Sequence, residues 1–288
     1  MPTARAPFTD ILVPLDSSEA AERALQPALE LVRRTGVPLR VMQRAFSDEV
    51  ETAAAYLADV ADRYADVTDV ETIVVDRESI PDAILEGSGT GTLVCMSSHG
   101  RGGVARATMG SVAEALLRTI VRPVLVVGPH LGDTCTFAGR VVACIDGSTE
   151  SERTLEPAGA WAAALGLPLW LVEVAEPSTP VEWTTRGGAA ESAHLARLAR
   201  RFGDVAGWDT FHNRHPAREL ADLSASAYQP TALLVMATHG RTGWDRLRVG
   251  SVTAATIHAA PVPVLVVPAG PAEPVDPAAA EHEGATQP

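Results

Sequence analysis

The sequence predicts an α/β protein with two similar domains, each an open five-stranded parallel sheet with helices on both faces. Three observations lead to this prediction. The second half of the chain repeats the first, apolar runs alternate with helical patterns in both halves, and each apolar run is nearly continuous. Strands of that kind are buried on both faces, as they are in a parallel sheet that helices cover on both sides.

The internal repeat is the length of a whole domain. ILVPLDSSEAAERAL, which begins at Ile11, matches VVACIDGSTESERTL, which begins at Val141, so the offset here is 130. Further along, LVCMSSHG ending at Gly100 matches LVMATHG ending at Gly240, so the offset has grown to 140. The second copy therefore contains a net insertion of ten residues. A repeat this long is a domain rather than the unit of a solenoid.

The elements of one copy follow in order from their local signals. The apolar run ILVPL is a strand, and the Asp-Ser-Ser that ends it is an N-cap signal for the amphipathic helix that follows. A Gly-Val-Pro turn leads to the strand LRVM, then to a long Ala-rich helical stretch and the β-branched strand ETIVV. A short helix, the strand TLVCM, the helix SVAEALLRTI and the strand PVLVV complete the copy.

Composition shifts mark the domain boundaries. We expect a first domain over residues 1–128, a second over residues 140–268, and a linker between them at residues 129–139, where Gly and turn-forming residues are frequent. The segment 269–288 consists of Pro, Ala and Glu without periodicity, which predicts a disordered tail.

Composition also excludes several functions. The chain has 288 residues and a net charge of −13, which argues against nucleic acid or an anionic membrane as a partner. Every basic residue is Arg, so a Walker A loop and Lys Schiff-base chemistry are excluded. Cys95 and Cys144 lie in strands, where buried, inert thiols are expected. The N-terminus lacks an apolar signal core, and no run approaches the roughly 18 apolar residues of a membrane span, so we expect a cytoplasmic protein.

A Gly-flanked loop after the fourth strand is the main functional signal. It reads SHGRGGVARATMGSV from Ser98 and THGRTGWDRLRVGSV from Thr238. Gly110 and Gly250 allow the backbone to approach a ligand closely. The backbone N–H groups of the two residues after each of these glycines are expected to point out of a helix N-terminus. The positive end of the helix dipole lies there, so the position favours binding of a phosphate. An ordinary Ser N-cap is the alternative. The residues concerned are Ser111, Val112, Ser251 and Val252.

These stretches resemble the universal stress protein family in its tandem, actinobacterial form. The resemblance rests on LVPLDSSEAAERAL, on VACIDGSTESERTL, and on the two HGR…GS loops that precede PVLVV. It covers nearly the whole chain outside the linker and the tail. It implies a Rossmann-like fold of the adenine nucleotide alpha hydrolase type, and binding of ATP or a related nucleotide, with or without Mg²⁺.

The ATP-binding branch of that family carries the motif Gly-x2-Gly-x9-Gly-Ser/Thr. Both loops keep the nine-residue spacer and the Gly-Ser that follows it, from Gly100 to Gly110 and from Gly240 to Gly250. Small residues replace the first Gly of the motif, and they leave room for a ribose. The replacements are Ser97 in the first copy and Ala237 in the second.

The resemblance also places a carboxylate at the adenine–ribose end of each cleft. By position this is Asp16, followed by Ser17, in the first copy, and Asp146, followed by Gly147 and Ser148, in the second. A carboxylate there can accept two hydrogen bonds from ribose hydroxyls. The alternative is that each Asp only caps the helix that follows.

The adenine edge is implied to lie near a Val that ends the second strand of the domain. Val174 occupies that place in the second copy, whereas Arg44 occupies it in the first. The second copy therefore keeps the family pattern more closely, and we expect it to bind nucleotide if only one copy does.

Two histidine features suggest other chemistry. His99 and His239 lie in the loops, but nothing nearby supplies a nucleophile, a base and an orienting group. His212 and His215 have the i, i+3 spacing of one helix face but lack a third ligand. We expect neither catalysis nor metal binding from them.

Three functions remain open. The first is a stress protein that binds ATP or a related nucleotide and signals through contacts with unknown protein partners, with at most slow ATP hydrolysis. The second is a nucleotide-free protein of the same fold that acts only through protein contacts. The third is an adenylating or ATP-pyrophosphatase enzyme, although neither LDSSEAA nor IDGSTES matches the SGGxDS loop of such enzymes.

The family resemblance also implies how the two copies assemble. Single-domain relatives dimerise through their last strands, so we expect the two PVLVV strands, which begin at Pro123 and Pro263, to pair within this chain. The result is an intramolecular pseudo-dimer with two clefts. Whether two chains associate further stays open.

Overall fold

The structure, a computed structural model, describes residues 5–100, 109–175, 186–203, 205–239 and 249–268. The predicted tail at residues 269–288 lies outside this part of the chain. The first domain contains, in order, β1 (Asp10–Leu15), α1 (Glu19–Glu22), α2 (Leu25–Thr35), β2 (Leu39–Arg44), α3 (Val50–Arg63), β3 (Val70–Val75), α4 (Ile80–Glu86), β4 (Thr92–Ser97), α5 (Ser111–Thr119) and β5 (Val124–Val127).

The second domain repeats this order, as the duplication predicts. Its elements are β6 (Arg140–Ile145), α6 (Thr149–Glu152), α7 (Leu155–Leu165), β7 (Leu169–Ala175), α8 (Arg186–Phe202), β8 (Val205–His212), α9 (Pro216–Ser224), β9 (Thr231–Ala237), α10 (Ser251–Ala259) and β10 (Val264–Val267).

The strands form one continuous sheet with the order β3-β2-β1-β4-β5-β10-β9-β6-β7-β8. Every pairing within a domain is parallel. β5 and β10 pair antiparallel across the pseudo-two-fold axis, which confirms the pairing predicted for the last strands. The register joins Val124 to Val266, Leu125 to Leu265 and Val126 to Val264.

The core has one layer on each face of the sheet, because successive strand residues point to opposite faces. On β1, Val13 belongs to one layer and Leu12 to the other. Both layers continue across the domain boundary, through Leu125 and Leu265 on one face and Val126 on the other. Each core layer is therefore shared by the two domains. The two layers, one on each face of the sheet, confirm the predicted α/β architecture with helices on both faces.

Local signals account for where the helices begin and end. Ser18 and Ser148 are the N-caps of α1 and α6, and each side chain accepts a hydrogen bond from a first-turn N–H group, as the sequence predicts. Gly36 and Gly166 end α2 and α7 with φ of +70° and +66°, a left-handed conformation that glycine adopts without strain. None of the described helices combines the length and apolar character needed to cross a bilayer.

Cys95 and Cys144 are buried free thiols, as predicted. Burial raises the pKa of both thiols, to about 12 for Cys144. Both side chains pack within the two core layers.

A buried arginine marks one difference between the domains. In the first domain, Arg40 donates to Asp10 at 2.5 and 3.0 Å. In the second, Arg140 is 5% exposed, stacks 4.8 Å from the ring of Trp170, and lies 4.0 Å from Asp209. Its Nε and Nη2 atoms have no hydrogen-bond partner among the described residues. Burial lowers the pKa of Arg140, so the second domain carries a poorly compensated buried charge.

Three imidazoles meet where the domains join. The ring of His258, near the end of α10, lies 5.7 Å from that of His99 and 5.6 Å from that of His130, measured between ring centroids. His258 Nδ1 and His99 Nε2 are buried without a hydrogen-bond partner in the described part of the chain. Burial lowers the pKa of His258, and the neighbouring imidazoles of His99 and His130 lower it further.

Candidate functional site

A cleft of about 620 Å³ opens at the carboxyl ends of the first domain's strands, where parallel α/β sheets bind ligands. It brings together five of the residues that the sequence suggests for this domain. They are Asp16, Gly100, Gly110, Ser111 and Val112. Ser97, at the position of the missing first Gly, and Arg44, at the end of β2, also line the cleft.

The turn after β1 holds the Asp16 carboxylate in place. The N–H and hydroxyl groups of Ser18 donate to Asp16 Oδ1 at 3.1 and 2.5 Å, and the same hydroxyl oxygen accepts from the N–H of Ala21 at 3.1 Å. The helix cap is therefore Ser18, and the alternative in which Asp16 itself caps the helix is wrong. The carboxylate orients the capping serine and still faces the cleft.

Gly100 leaves room for this carboxylate. A Cβ atom at residue 100 would overlap Asp16 Oδ2. The start of the loop and the turn after β1 therefore lie close together, and a side chain at residue 100 would displace the carboxylate from its present position.

Ser17 has a left-handed backbone, with φ of +64°. Its hydroxyl group lies 3.1 and 3.2 Å from the side-chain amide atoms of Gln43, which is 6% exposed. This conformation costs a non-glycine residue about 1–2 kcal/mol. Sequence reasoning missed Gln43, although a polar residue at the end of the apolar run LRVM was a signal. Neither Ser17 nor Gln43 lines the cleft; their bond holds the turn that carries Asp16.

The second domain builds the same turn. The N–H and hydroxyl groups of Ser148 donate to Asp146 Oδ1 at 3.0 and 2.6 Å. Gly147 stands in place of Ser17, with φ of +79°. Glycine adopts this conformation freely, so the second turn forms without the strain of the first.

A hydrogen bond closes the neck of each loop. The N–H of Gly110 donates to the carbonyl of Ser98, and that of Gly250 to the carbonyl of Thr238, both at 2.8 Å. A Cβ at Gly110 or Gly250 would lie 3.0 or 3.1 Å from the same carbonyl oxygen. A side chain at either position would therefore strain the neck.

Glycine, rather than serine, occupies the N-cap of α5 and of α10. Gly110 and Gly250 are the caps, and neither helix has a side-chain cap. Ser111 and Ser251 are the first helical residues and are exposed, so the alternative of an ordinary Ser N-cap is wrong. Without a side-chain cap, the first turn of α5 presents its N–H groups and the positive end of its dipole to the cleft.

The residues at the missing first Gly make different contacts in the two domains. The hydroxyl of Ser97 accepts a hydrogen bond from the N–H of His99 at 3.3 Å. Ala237 is buried, and its carbonyl accepts from the hydroxyl of Thr253 at 2.9 Å. Both side chains are small, and each residue accepts a hydrogen bond from a residue at the neck of the loop or in the helix after it.

The two loop histidines bond to the residue that precedes each of them. His99 Nδ1 lies 2.9 Å from the hydroxyl of Ser98, and His239 Nδ1 lies 3.1 Å from that of Thr238. Ser98 and Thr238 are only 1% and 3% exposed. Both pairs lie at the neck of the loop, and Ser98 and His99 also line the cleft.

Arg44 and Val174 occupy equivalent places at the end of the second strand of each domain. Arg44 is partly buried, and its guanidinium lies 4.4 Å from the ring centroid of Phe46. Val174 is also partly buried, next to the last residue of β7. Gly240 and residues 176–185 and 241–248 lie outside the described chain, so the preference for the second cleft stays a prediction.

His212 and His215 do not share a helix face. β8 ends at His212, and His215 is the N-cap of α9. The helical spacing inferred from the sequence is therefore wrong, because a strand end and a helix cap fall within the same four residues. Among the described residues, no group of three His, Cys, Asp or Glu side chains is placed to hold a metal ion.

Comparison with known proteins gives one consistent result. The sequence model of the universal stress protein family matches residues 7–128 and again residues 138–268. A universal stress protein of Mycobacterium tuberculosis is 35% identical over 209 residues, which cover 68% of this chain and 68% of the relative. Another, from Mycolicibacterium smegmatis, is 26% identical over 289 residues, covering 89% of this chain and 96% of the relative.

A solved structure has the same overall fold. The crystal structure of a universal stress protein from Archaeoglobus fulgidus superposes with a TM-score of 0.65 at 20% identity. The superposition covers 92% of this chain and 97% of that chain, so the likeness includes both domains.

Proposed function

The chain belongs to the universal stress protein family, and from that premise we propose that the cleft of its first domain binds an adenine nucleotide. One observation carries the proposal. A carboxylate held in place by Ser18 and an α-helix N-terminus without a side-chain cap line the same cleft, with Gly100 between them.

Each part of the cleft suits one part of a nucleotide. Asp16 accepts hydrogen bonds from the ribose hydroxyls. The first-turn N–H groups at Ser111 and Val112 donate to phosphate oxygens, supported by the dipole of α5. Met42 and Val75, which also line the cleft, pack against the adenine ring.

We propose a binding protein rather than an enzyme. Phosphoryl transfer needs positive charge or a metal placed around the γ-phosphate. The chain has no Lys, and Arg44 is the single arginine among the described residues that line this cleft. ATP, with or without Mg²⁺, is therefore held and at most slowly hydrolysed, and the bound state is read through contacts with protein partners.

The second domain is proposed to bind the same ligand. It has the same carboxylate turn and the same helix start, at Asp146 and Gly250. We expect its affinity to be the higher of the two, because Gly147 takes up the left-handed turn without strain and Val174 matches the family's adenine edge.

A nucleotide-free protein that acts through protein contacts is the second candidate. Two observations in the first domain favour it. Ser97 stands at the position of the first motif Gly, and Arg44 lies in the cleft where the family pattern has a Val. Ser97 is small enough to leave room for a ribose, but the Arg44 side chain reduces the space for adenine.

Calorimetric titration of ATP, with and without Mg²⁺, distinguishes these functions. We expect binding to wild type, and loss of one site each in Gly110→Val and Gly250→Val, because a Cβ there crowds a carbonyl at 3.0 or 3.1 Å. Each charge-assisted hydrogen bond to phosphate contributes about 1.5–3 kcal/mol, so a displaced helix start weakens binding at least about tenfold.

Gly159→Val is the matched control. Gly159 lies on α7, and a Cβ there meets nothing within 4 Å, so nucleotide affinity should stay unchanged. If wild type binds no ATP, ADP or AMP, and the purified protein releases no nucleotide on denaturation, the nucleotide-free function is correct. Turnover of ATP at ordinary enzymatic rates would instead support an enzyme.

A further inference from the structure

The cleft of the first domain has two distinct ends, because its strands lie on both sides of β1. The sheet order places β2 and β3 on one side of β1, and β4 and β5 on the other. On the β4 side the cleft is lined by Ser97 and by Gly110 and Ser111, at the cap and the start of α5. That end suits phosphates, so the base of a nucleotide in the same cleft lies at the end formed by β2 and β3.

Apolar side chains line the end formed by β2 and β3. Met42 and Val75 come from these two strands, and Ile80 and Ile84 come from α4. Met42 and Ile84 are buried, whereas Val75 and Ile80 are half-buried and remain accessible. Such side chains contact the faces of a base and leave its polar edges to other groups.

Two opposite charges lie at the same end. Arg44, the last residue of β2, and Glu49, the N-cap of α3, both line the cleft. The other titratable side chains of the lining follow β1 and β4 or lie on α5; they are Asp16, His99 and Glu114. Neither Arg44 nor Glu49 forms an ion pair with a described residue, so within this part of the chain both can bond to a ligand.

Phe46 positions the guanidinium of Arg44. The guanidinium carbon lies 4.4 Å from the ring centroid of Phe46, which is 44% exposed and is not part of the cleft lining. This cation–π contact holds one face of the guanidinium and leaves the N–H donors in its plane available. Arg44 therefore narrows the base end of the cleft and presents donors to the edge of a base.

A guanine base offers this pair of side chains more hydrogen bonds than adenine does. Guanine O6 and N7 accept two bonds from one guanidinium, and guanine N1–H and N2–H donate two bonds to one carboxylate. In adenine the N7 acceptor stands beside the N6 donor, so each side chain makes a single bond. Val174, which takes the place of Arg44 in the second domain, bonds to neither base edge.

On the basis of the nucleotide binding proposed above, on which this specificity rests, we propose that the first cleft binds guanine nucleotides more tightly than adenine nucleotides. Arg44 and Glu49 are the residues that determine the preference. Adenine binding is then the weaker activity of the first cleft. The second cleft, with Val174, does not share the preference, so the two sites of the chain differ in base specificity.

Calorimetric titration of GTP and of ATP into Gly250→Val, the variant expected to lose the second site, measures the preference of the first cleft. We expect GTP to bind at least about fivefold more tightly, the lower limit for discrimination by one bidentate contact. Arg44→Val in this background should abolish the difference. Arg33→Val, at an exposed position of α2 outside the cleft, is the matched control and should keep it.

A second variant guards against a folding defect in Arg44→Val. Glu49→Gln keeps the shape of an exposed side chain, so the fold should persist while the GTP preference falls, because an amide donor opposes guanine N1–H. Equal affinities for GTP and ATP in Gly250→Val would overturn the guanine preference and leave nucleotide binding intact. A GTP preference that survives both Arg44→Val and Glu49→Gln would also overturn it. Binding of neither nucleotide to wild type would overturn the proposed function as well.

Discussion

Gly128 joins the two domains, and replacing it tests how closely they must pack. It follows β5 and faces the last turn of α10, where a Cβ atom would overlap the carbonyl oxygen of Ile257. The clash is with backbone, so no change of rotamer relieves it. In Gly128→Ala, either β5 or the end of α10 has to move away from the antiparallel β5–β10 pair.

The expected cost follows from what must move. Leu125 and Leu265 pair at this junction and are completely buried, and the N–H of Gly132 donates to the carbonyl of Pro261 beside it at 3.0 Å. Overpacking a core costs about 1–3 kcal/mol, and a clash with backbone belongs at the upper end. About 3 kcal/mol is a large share of a typical unfolding free energy of about 5–15 kcal/mol.

Urea unfolding followed by circular dichroism measures this cost. With a denaturant slope of about 3 kcal/mol per M for a chain of this size, the midpoint should fall by about 1 M. Gly159→Ala is the control: its Cβ meets nothing within 4 Å in α7, so stability should rise by about 0.5–1 kcal/mol. An unchanged midpoint in Gly128→Ala would refute the close packing of the two domains.

Two further predictions concern buried charge. Arg140→Met should raise the unfolding free energy by about 1 kcal/mol, because Arg140 is buried and two of its nitrogen atoms have no acceptor among the described residues. Arg40→Met should lower the unfolding free energy by about 2 kcal/mol, because it breaks the ion pair with Asp10. If urea unfolding gave the same change in unfolding free energy for both variants, the proposed difference in charge compensation between Arg40 and Arg140 would be contradicted. The folded protein binds a proton at His258 less readily than the unfolded chain, because its pKa is lowered from 6.5. Stability should therefore fall as the pH drops through about 6.5, and less steeply in His258→Gln; identical pH profiles by thermal unfolding would contradict this.

Much of the fold was predictable because its signals are local. Continuous apolar runs, the N-cap serines and the glycines that end α2 and α7 act within a few residues of themselves, and all are visible in the sequence. Because the domain is duplicated, the same local signals occur in both halves of the chain and support the same prediction twice. The pairing of β5 with β10 was also predicted, but from the resemblance to a family rather than from the residues.

The candidate site was predictable in its parts but not in its contacts. The repeated Gly-Ser pattern indicated Gly110 and Gly250, and their role as caps follows from the bonds that close the loop necks. The close approach of Gly100 to the carboxylate of Asp16 was not visible, because Asp16 is distant in the sequence. The spacing of His212 and His215 misled for a related reason, since a spacing does not reveal where a strand ends.

By itself, the sequence determined that this protein has two copies of a parallel α/β domain, with an aspartate turn and a Gly-Ser helix start in each. Only the tertiary structure decided how the copies differ. The linker covers α1 and α2 of the first domain, whereas the same face of the second packs against Phe8 and lines a groove. Where the first domain has the ion pair of Asp10 with Arg40, the second has Arg140 stacked on Trp170, with two nitrogen atoms that no described residue accepts from. The physical reason is that local patterns specify elements, while burial and pairing depend on which distant part of the chain arrives at the same surface.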